Sequence, residues 1–220
     1  AYLRFDERAV PTFSMDMYGS DTYPKPYVFK YPKAGDVNSV VSLHVWNGSA
    51  TVTASEGLKY EYIPRMAWSP KGELFFATLN RHQDSMQVMT YTTGKAPRRF
   101  LLETDAAYVE SEREFSFLAD GRLVWASERS GFTHYYLYSA DGSKSTPITS
   151  GTYDITTFYG VDEARGEVYY QAASRSASQR EVFRTTLKGG KPTAIATKAP
   201  TNEADFSSSF DYYVLTTQDG

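Results

Sequence analysis

Short apolar runs alternate with turn residues along the whole chain, and one pattern returns several times. The segments YIPRMAWSPKGELFFATL (60–79), REFSFLADGRLVWASER (113–129), TTFYGVDEARGEVYYQAA (156–173) and ADFSSSFDYYVLTTQDG (204–220) share an order of events. An aromatic-bearing strand comes first, a turn follows in most copies, and a second strand rich in Val and Tyr comes after it. The turns are Pro70-Lys71-Gly72, Asp120-Gly121 and Arg165-Gly166, where glycine supplies the freedom that a tight reversal needs. A third strand often succeeds the second, as in THYYLYSADG and REVFRTTLKGG, again closed by a glycine turn. The copies recur at about 45 residues, the length of one four-stranded propeller blade. No window sustains an i, i+3, i+4, i+7 stripe, and residues 103–114 and 198–206 hold only a few helix formers. The pattern predicts an all-β chain, a partial β-propeller with about three complete four-stranded blades and partial blades at both ends.

Residues 1–220 read as one propeller domain, with predicted blades over 31–59, 60–103, 113–150 and 156–197 and an interrupted one at 204–220. Residues 1–5 read as the end of a strand. Further strands are predicted at 39–46 and 49–54, joined at Asn47-Gly48, and near 63–68, 73–79, 85–92 and 98–102. Because the chain opens inside a strand and stops at the turn Asp219-Gly220, it is expected to be a piece of a longer protein. The polar segment 103–114 joins two blades, and such connections lie on a propeller face where binding residues tend to sit.

Residues 6–30 break the rhythm. Two extended pieces, 10–18 and 23–31, flank the turn Gly19-Ser20-Asp21, and Pro11, Pro24 and Pro26 suit a hairpin whose edges are not fully paired. Val10, Phe13, Met15, Met17, Tyr18, Tyr23 and Tyr27 are many apolar and aromatic groups to leave in water. They favour an arm that contacts another surface over a long mobile hairpin.

Composition narrows the chemistry. A net charge of −3 offers no case for nucleic acid or an anionic membrane. No apolar run approaches the length of a membrane-spanning helix. The chain has no Cys, so it holds neither disulfides nor thiolate metal sites. Only His44, His82 and His134 could serve as a general base, and no serine sits in a Gly-x-Ser-x-Gly elbow, so no catalytic triad is expected here. His82 and Asp84 offer two potential metal ligands on a hairpin tip of the kind left in water; neither a metal nor a cofactor is expected. KGGK (188–191) precedes no helix and is read as a turn rather than a phosphate cradle. Asn47-Gly48-Ser49 fits a glycosylation sequon and equally a hairpin turn.

Several motifs together resemble a known family. FDERAVP (5–11) is followed by YPKAGDVN (31–38), and further along come FLADGRLVWASERSGFTHYYLYSADG and ITSGTYDI. With this spacing the whole chain resembles the N-terminal β-propeller of the dipeptidyl peptidase IV family, serine exopeptidases of the prolyl oligopeptidase clan, and its bacterial members best. The resemblance implies a propeller capping a C-terminal α/β-hydrolase domain that carries the catalytic Ser, Asp and His. It implies peptide substrates from which N-terminal di- or tripeptides with Pro or Ala preference are released, and a periplasmic, cell-envelope or secreted location. On the same ground the arm 6–30 is expected to pair propellers into homodimers. Tyr108, Glu110 and Arg113 correspond to a loop leaning toward the substrate. The chain by itself is expected to be inactive. A non-enzymatic propeller serving as an interaction scaffold is the alternative from another class.

Overall fold

The structure, a computed structural model, describes residues 1–196 and 200–218. The turn expected at Asp219-Gly220, residue 197 of the fourth predicted blade and the first two residues of 198–206 lie outside the described residues. No helix is present among those described, and every regular element is a strand.

Three four-stranded antiparallel sheets form the middle of the chain. The first is β6 (Met66–Trp68), β7 (Leu74–Leu79), β8 (Ser85–Tyr91) and β9 (Arg98–Thr104). The second is β10 (Ser116–Phe117), β11 (Leu123–Ser127), β12 (His134–Tyr138) and β13 (Ser145–Pro147). The third is β14 (Ile155–Asp162), β15 (Glu167–Ala172), β16 (Glu181–Thr186) and β17 (Thr193–Ala196). Each strand pairs with the next in sequence, the meander of a propeller blade. Before them β1 (Tyr2–Asp6), β4 (Val40–Trp46) and β5 (Thr51–Thr53) make a three-stranded sheet. After them β18 (Thr201–Phe206) pairs with β19 (Tyr213–Gln218). The all-β partial propeller expected from the pattern is the observed architecture. The hairpin of β2 (Thr12–Met17) and β3 (Lys25–Lys30) stands apart as its own two-stranded sheet.

Strand β6 is shorter than its apolar run, which extends back to residue 63. Pro64 has no N–H to donate to a ladder. The chain there instead makes scattered bonds to β7, with Tyr62 N donating to Leu79 O at 3.0 Å, Leu79 N to Tyr62 O at 2.9 Å and Ala77 N to Arg65 O at 2.9 Å.

The core lies between sheets. In β7 all six residues are buried, because Leu74 and Phe76 face Val41, Leu43 and Val45 while Phe75, Ala77 and Leu79 face Leu123 and Trp125. In β11, Leu123 and Trp125 face back and Val124 faces forward to Val168 and Tyr170. A strand buried on both faces needs no polar alternation, which is why these second strands read as continuous apolar runs. Close approach between blades explains one glycine: Gly142 has a φ of 76°, and a Cβ there would lie 2.9 Å from the Phe100 ring and carbonyl.

The period recurs in polar contacts between blades. Arg98 Nη1 donates to Asp141 O at 3.0 Å, 43 residues on, and Ala119 N to Glu163 Oε1 at 2.9 Å, 44 residues on. Arg165 reaches Asp162 at 2.5 Å and also Asp211, 46 residues away. Equivalent positions thus meet one blade apart.

Candidate functional site

The connection from β9 to β10, residues 105–115, is built in three steps. Asp105 Oδ1 accepts from Ala107 N at 2.7 Å and Tyr108 N at 3.3 Å, a local turn that starts the loop. The β7–β8 tip then holds it: Asp105 N donates to Asp84 O at 3.0 Å, and Val109 N to Gln83 O at 2.8 Å. Gln83 has a φ of 59°, a left-handed conformation uncommon outside glycine. Asn80 supports that tip, its Oδ1 accepting from Asp84 N and Ser85 N at 3.2 Å while its Nδ2 donates to Asp84 Oδ1 at 2.7 Å. Finally Arg113 Nη2 donates to Glu128 Oε1 at 2.7 Å on the β11–β12 tip, and Phe115 stacks on Trp125 at 5.6 Å.

Of the residues expected on this loop, Tyr108 is exposed, Glu110 is half-buried with Oε1 capping Glu112 N at 2.9 Å, and the Arg113 side chain is 10% exposed. Glu110 and Arg113 share the lining of an open cavity of about 400 Å³ with Thr133, Tyr135, Thr156 and Phe158; Tyr108 does not line it. Tyr135 and Phe158 stack at 4.4 Å in its wall. Burial pushes the Tyr135 hydroxyl up to about 12, against the opposing pull of the Arg113 charge.

Beneath the loop Glu103 is buried at the end of β9. It accepts from Trp125 Nε1 at 3.2 Å, Ser127 Oγ at 2.7 Å and Arg129 Nη2 at 2.7 Å, so three donors from the next blade satisfy one carboxylate. The Arg129 guanidinium lies 4.3 Å from the Tyr136 ring centre. No sequence motif announced Glu103, Glu128 or Gln83, since their partners are contributed by other strands.

In the arm, cross-strand partners are Phe13 with Phe29, Met15 with Tyr27 and Met17 with Lys25, so one face of the ribbon collects the large apolar groups. Phe13, Tyr27, Phe29 and Tyr31 form a chain of ring contacts with centroids 5.1–6.0 Å apart. Met15, Met17, Tyr18, Tyr23 and Tyr27 are exposed, Tyr18 and Tyr23 at 82% and 80%. Val10 is a correction. It is buried, 2% exposed, at the root of the arm, where Lys30 Nζ donates to its carbonyl at 2.7 Å, and so it cannot belong to an exposed contact face. The arm returns through 31–38 into a clamp: Asn38 Nδ2 donates to Glu61 Oε1 at 2.7 Å and to the Tyr62 hydroxyl at 2.9 Å. Arg81 binds Glu61 Oε1 and Asp36 O, both at 2.8 Å. Because Arg81 sits on the same tip as Gln83, the arm and the loop 105–115 rise from the same end of the blades.

The histidines have other work. His134 is buried in β12; its Nε2 must donate to the Gly151 carbonyl at 3.1 Å, which leaves Nδ1 to accept from Thr149 Oγ1 at 3.1 Å. His44 Nε2 lies 2.9 Å from Ser42 Oγ, a pairing the sequence did not single out, but Nδ1 faces the Thr53 hydroxyl at 3.3 Å. A neutral hydroxyl there gives an imidazolium no counter-charge, so the pair is not a working triad. His82 is exposed, and Asp84 beside it is engaged by Asn80. The side chain of Asn47 accepts from Ser49 N at 3.1 Å and Ala50 N at 2.9 Å, closing the β4–β5 hairpin.

Comparison with known proteins decides the family. Residues 1–219 match the family described as the dipeptidyl peptidase IV (DPP IV) N-terminal region. The chain belongs to this family. Its relatives include dipeptidyl peptidase 4 of Arthroderma otae, 26% identical over 238 residues that cover 99% of this chain and 31% of that protein. The probable dipeptidyl peptidase 4 of Emericella nidulans is 27% identical, with coverage of 98% and 31%. The crystal structure of Porphyromonas gingivalis dipeptidyl peptidase 4 superposes with a TM-score of 0.87 at 38% identity, covering 97% of this chain and 31% of that one. A putative dipeptidyl aminopeptidase IV from Bacteroides ovatus shares the fold, with a TM-score of 0.79 at 20% identity, covering 97% of this chain and 34% of that one. The DPP IV propeller seen here thus spans about a third of the length of the relatives it matches.

Proposed function

We propose that this chain is the substrate-admitting part of the propeller of a serine-type exopeptidase that releases N-terminal di- or tripeptides, with Pro or Ala preferred near the amino terminus. The observation that carries the reading is the match over residues 1–219 to the DPP IV N-terminal region. Chemistry falls to an α/β-hydrolase domain beyond this chain, so the chain alone does not hydrolyse peptides. The loop carrying Tyr108, Glu110 and Arg113 faces the peptide, because it is the acidic connection on the propeller end that also bears the arm. The arm pairs two copies through Phe13, Met15, Met17, Tyr18, Tyr23 and Tyr27, all but the half-buried Phe13 exposed. The protein works in the periplasm or cell envelope of a bacterium, in keeping with its likeness to the Porphyromonas enzyme.

The test is hydrolysis of a Gly-Pro chromogenic anilide. The full-length protein is expected to cleave it and to lose activity on fluorophosphonate labelling, while residues 1–220 alone show no turnover. A full-length protein that neither cleaves the anilide nor takes the label would instead be a non-enzymatic scaffold.

A further inference from the structure

We propose that Glu128 is a positioning residue that sets a charge preference for a side chain of the bound peptide by neutralising and immobilising Arg113. The inference rests on the reading that the loop 105–114 faces the peptide. That loop carries Asp105, Glu110, Glu112 and Glu114 against a single base, Arg113. Asp105 caps the amides of Ala107 and Tyr108, and Glu110 caps Glu112. Glu112 and Glu114 are exposed.

Arg113 would oppose them, yet its guanidinium is drawn to Glu128 Oε1 at 2.7 Å and its side chain is 10% exposed. Glu128 is fixed from outside the loop: it also accepts from Thr133 Oγ1 at 3.1 Å, and Thr133 N is held by Asp154 Oδ1 at 2.8 Å. The next blade therefore cancels the only positive charge of the loop, and an open cavity with an acidic rim results. Such a rim draws in a cation and repels an anion. The stacked rings of Tyr135 and Phe158 give the aliphatic stem of a Lys or Arg an apolar wall to lie on. The chemistry selected is a basic side chain of the peptide.

The experiment uses the full-length peptidase and pairs of peptides that differ only in Lys or Glu at one position, varied in turn along the peptide. Wild type is expected to favour Lys, mainly through KM. Glu128→Gln leaves Arg113 uncompensated and should lower the Lys-to-Glu ratio of kcat/KM by about fivefold, the size of one screened rim charge. The double variant Arg113→Gln/Glu128→Gln should restore the ratio, since no stray charge remains. Asp120→Asn, on a turn at the opposite end of the blade, should not move it. A ratio unaltered by Glu128→Gln, or unrestored in the double variant, overturns the proposal while Glu112→Gln still shifts it. If Glu112→Gln and Tyr108→Ala also leave every KM unmoved, the loop does not face the peptide and the reading beneath the proposal falls with it.

Discussion

Strand β7 and the β2–β3 arm are both rich in large apolar side chains, and they end in opposite environments. In β7, Leu74, Phe75 and Phe76 are at most 1% exposed, each clasped by a neighbouring sheet. In the arm, Met15 and Met17 are 43% and 51% exposed, on a hairpin that among the described residues forms a two-stranded sheet of its own. A strand's hydrophobicity therefore says that it will be covered, and the topology says by what. For β7 the cover is intramolecular; for the arm, cover by another surface is the proposal made above. The last pair, β18–β19, is intermediate: all of β19 is exposed, yet the hairpin is tied back by the charges around Arg165.

Truncation in the clasped region should have the largest effect. Trp125→Ala removes a buried ring stacked on Phe115 and one donor to Glu103, and is expected to cost about 4 kcal/mol in urea denaturation. A loss under about 1 kcal/mol would mean that the blades do not depend on each other's cover.

The tied-back hairpin should instead show itself through pH. Asp162 is held below the ordinary carboxylate range first by the Arg165 backbone amide and then by its guanidinium, and Asp211 first by that guanidinium. Carboxyls lowered in the folded state contribute stability that is fully present above the unfolded value of about 3.9 and is lost as pH falls through the lowered ones. Arg165→Gln should therefore reduce the unfolding midpoint at pH 7 and flatten its decline between pH 5 and pH 2. Parallel curves for variant and wild type would show that charge does not hold this edge.

The arm should give the smallest change in folding and the clearest change in association. Met15→Asp with Met17→Asp is expected to alter unfolding free energy by no more than about 0.5 kcal/mol, because both side chains are exposed. Sedimentation at tens of micromolar should show weakened self-association. Unchanged association in that double variant would remove the arm from the interface.

Much of the fold was legible because its signals are local. Gly-containing reversals at Asp120-Gly121 and Arg165-Gly166, and a return of the pattern about every 45 residues, mark strands and blades without reference to anything distant. Legibility weakened where a local rule was overridden. Val10 looks like its apolar neighbours in the arm, but the turn in which its N–H donates to Glu7 O at 3.0 Å puts it under the root. The loop 105–114 was visible as a polar connection, whereas what fixes it was not. Gln83 and Glu128 are ordinary polar residues on two different hairpin tips, and they become supports only when adjacent blades bring those tips together.

By itself the sequence determined that the chain is all strand, that its blades repeat, that residues 6–30 leave the repeat and that the family is that of the DPP IV propeller. Alternation, turn residues and motif spacing are properties of neighbours along the chain, so they survive without a structure. Only the tertiary structure decided that β1 pairs with β4 across the whole arm, that Glu103 gathers three donors from the next blade and that Arg113 is spent on Glu128. These are contacts between residues far apart in sequence, and their energies depend on burial and distance that no run of neighbouring residues specifies.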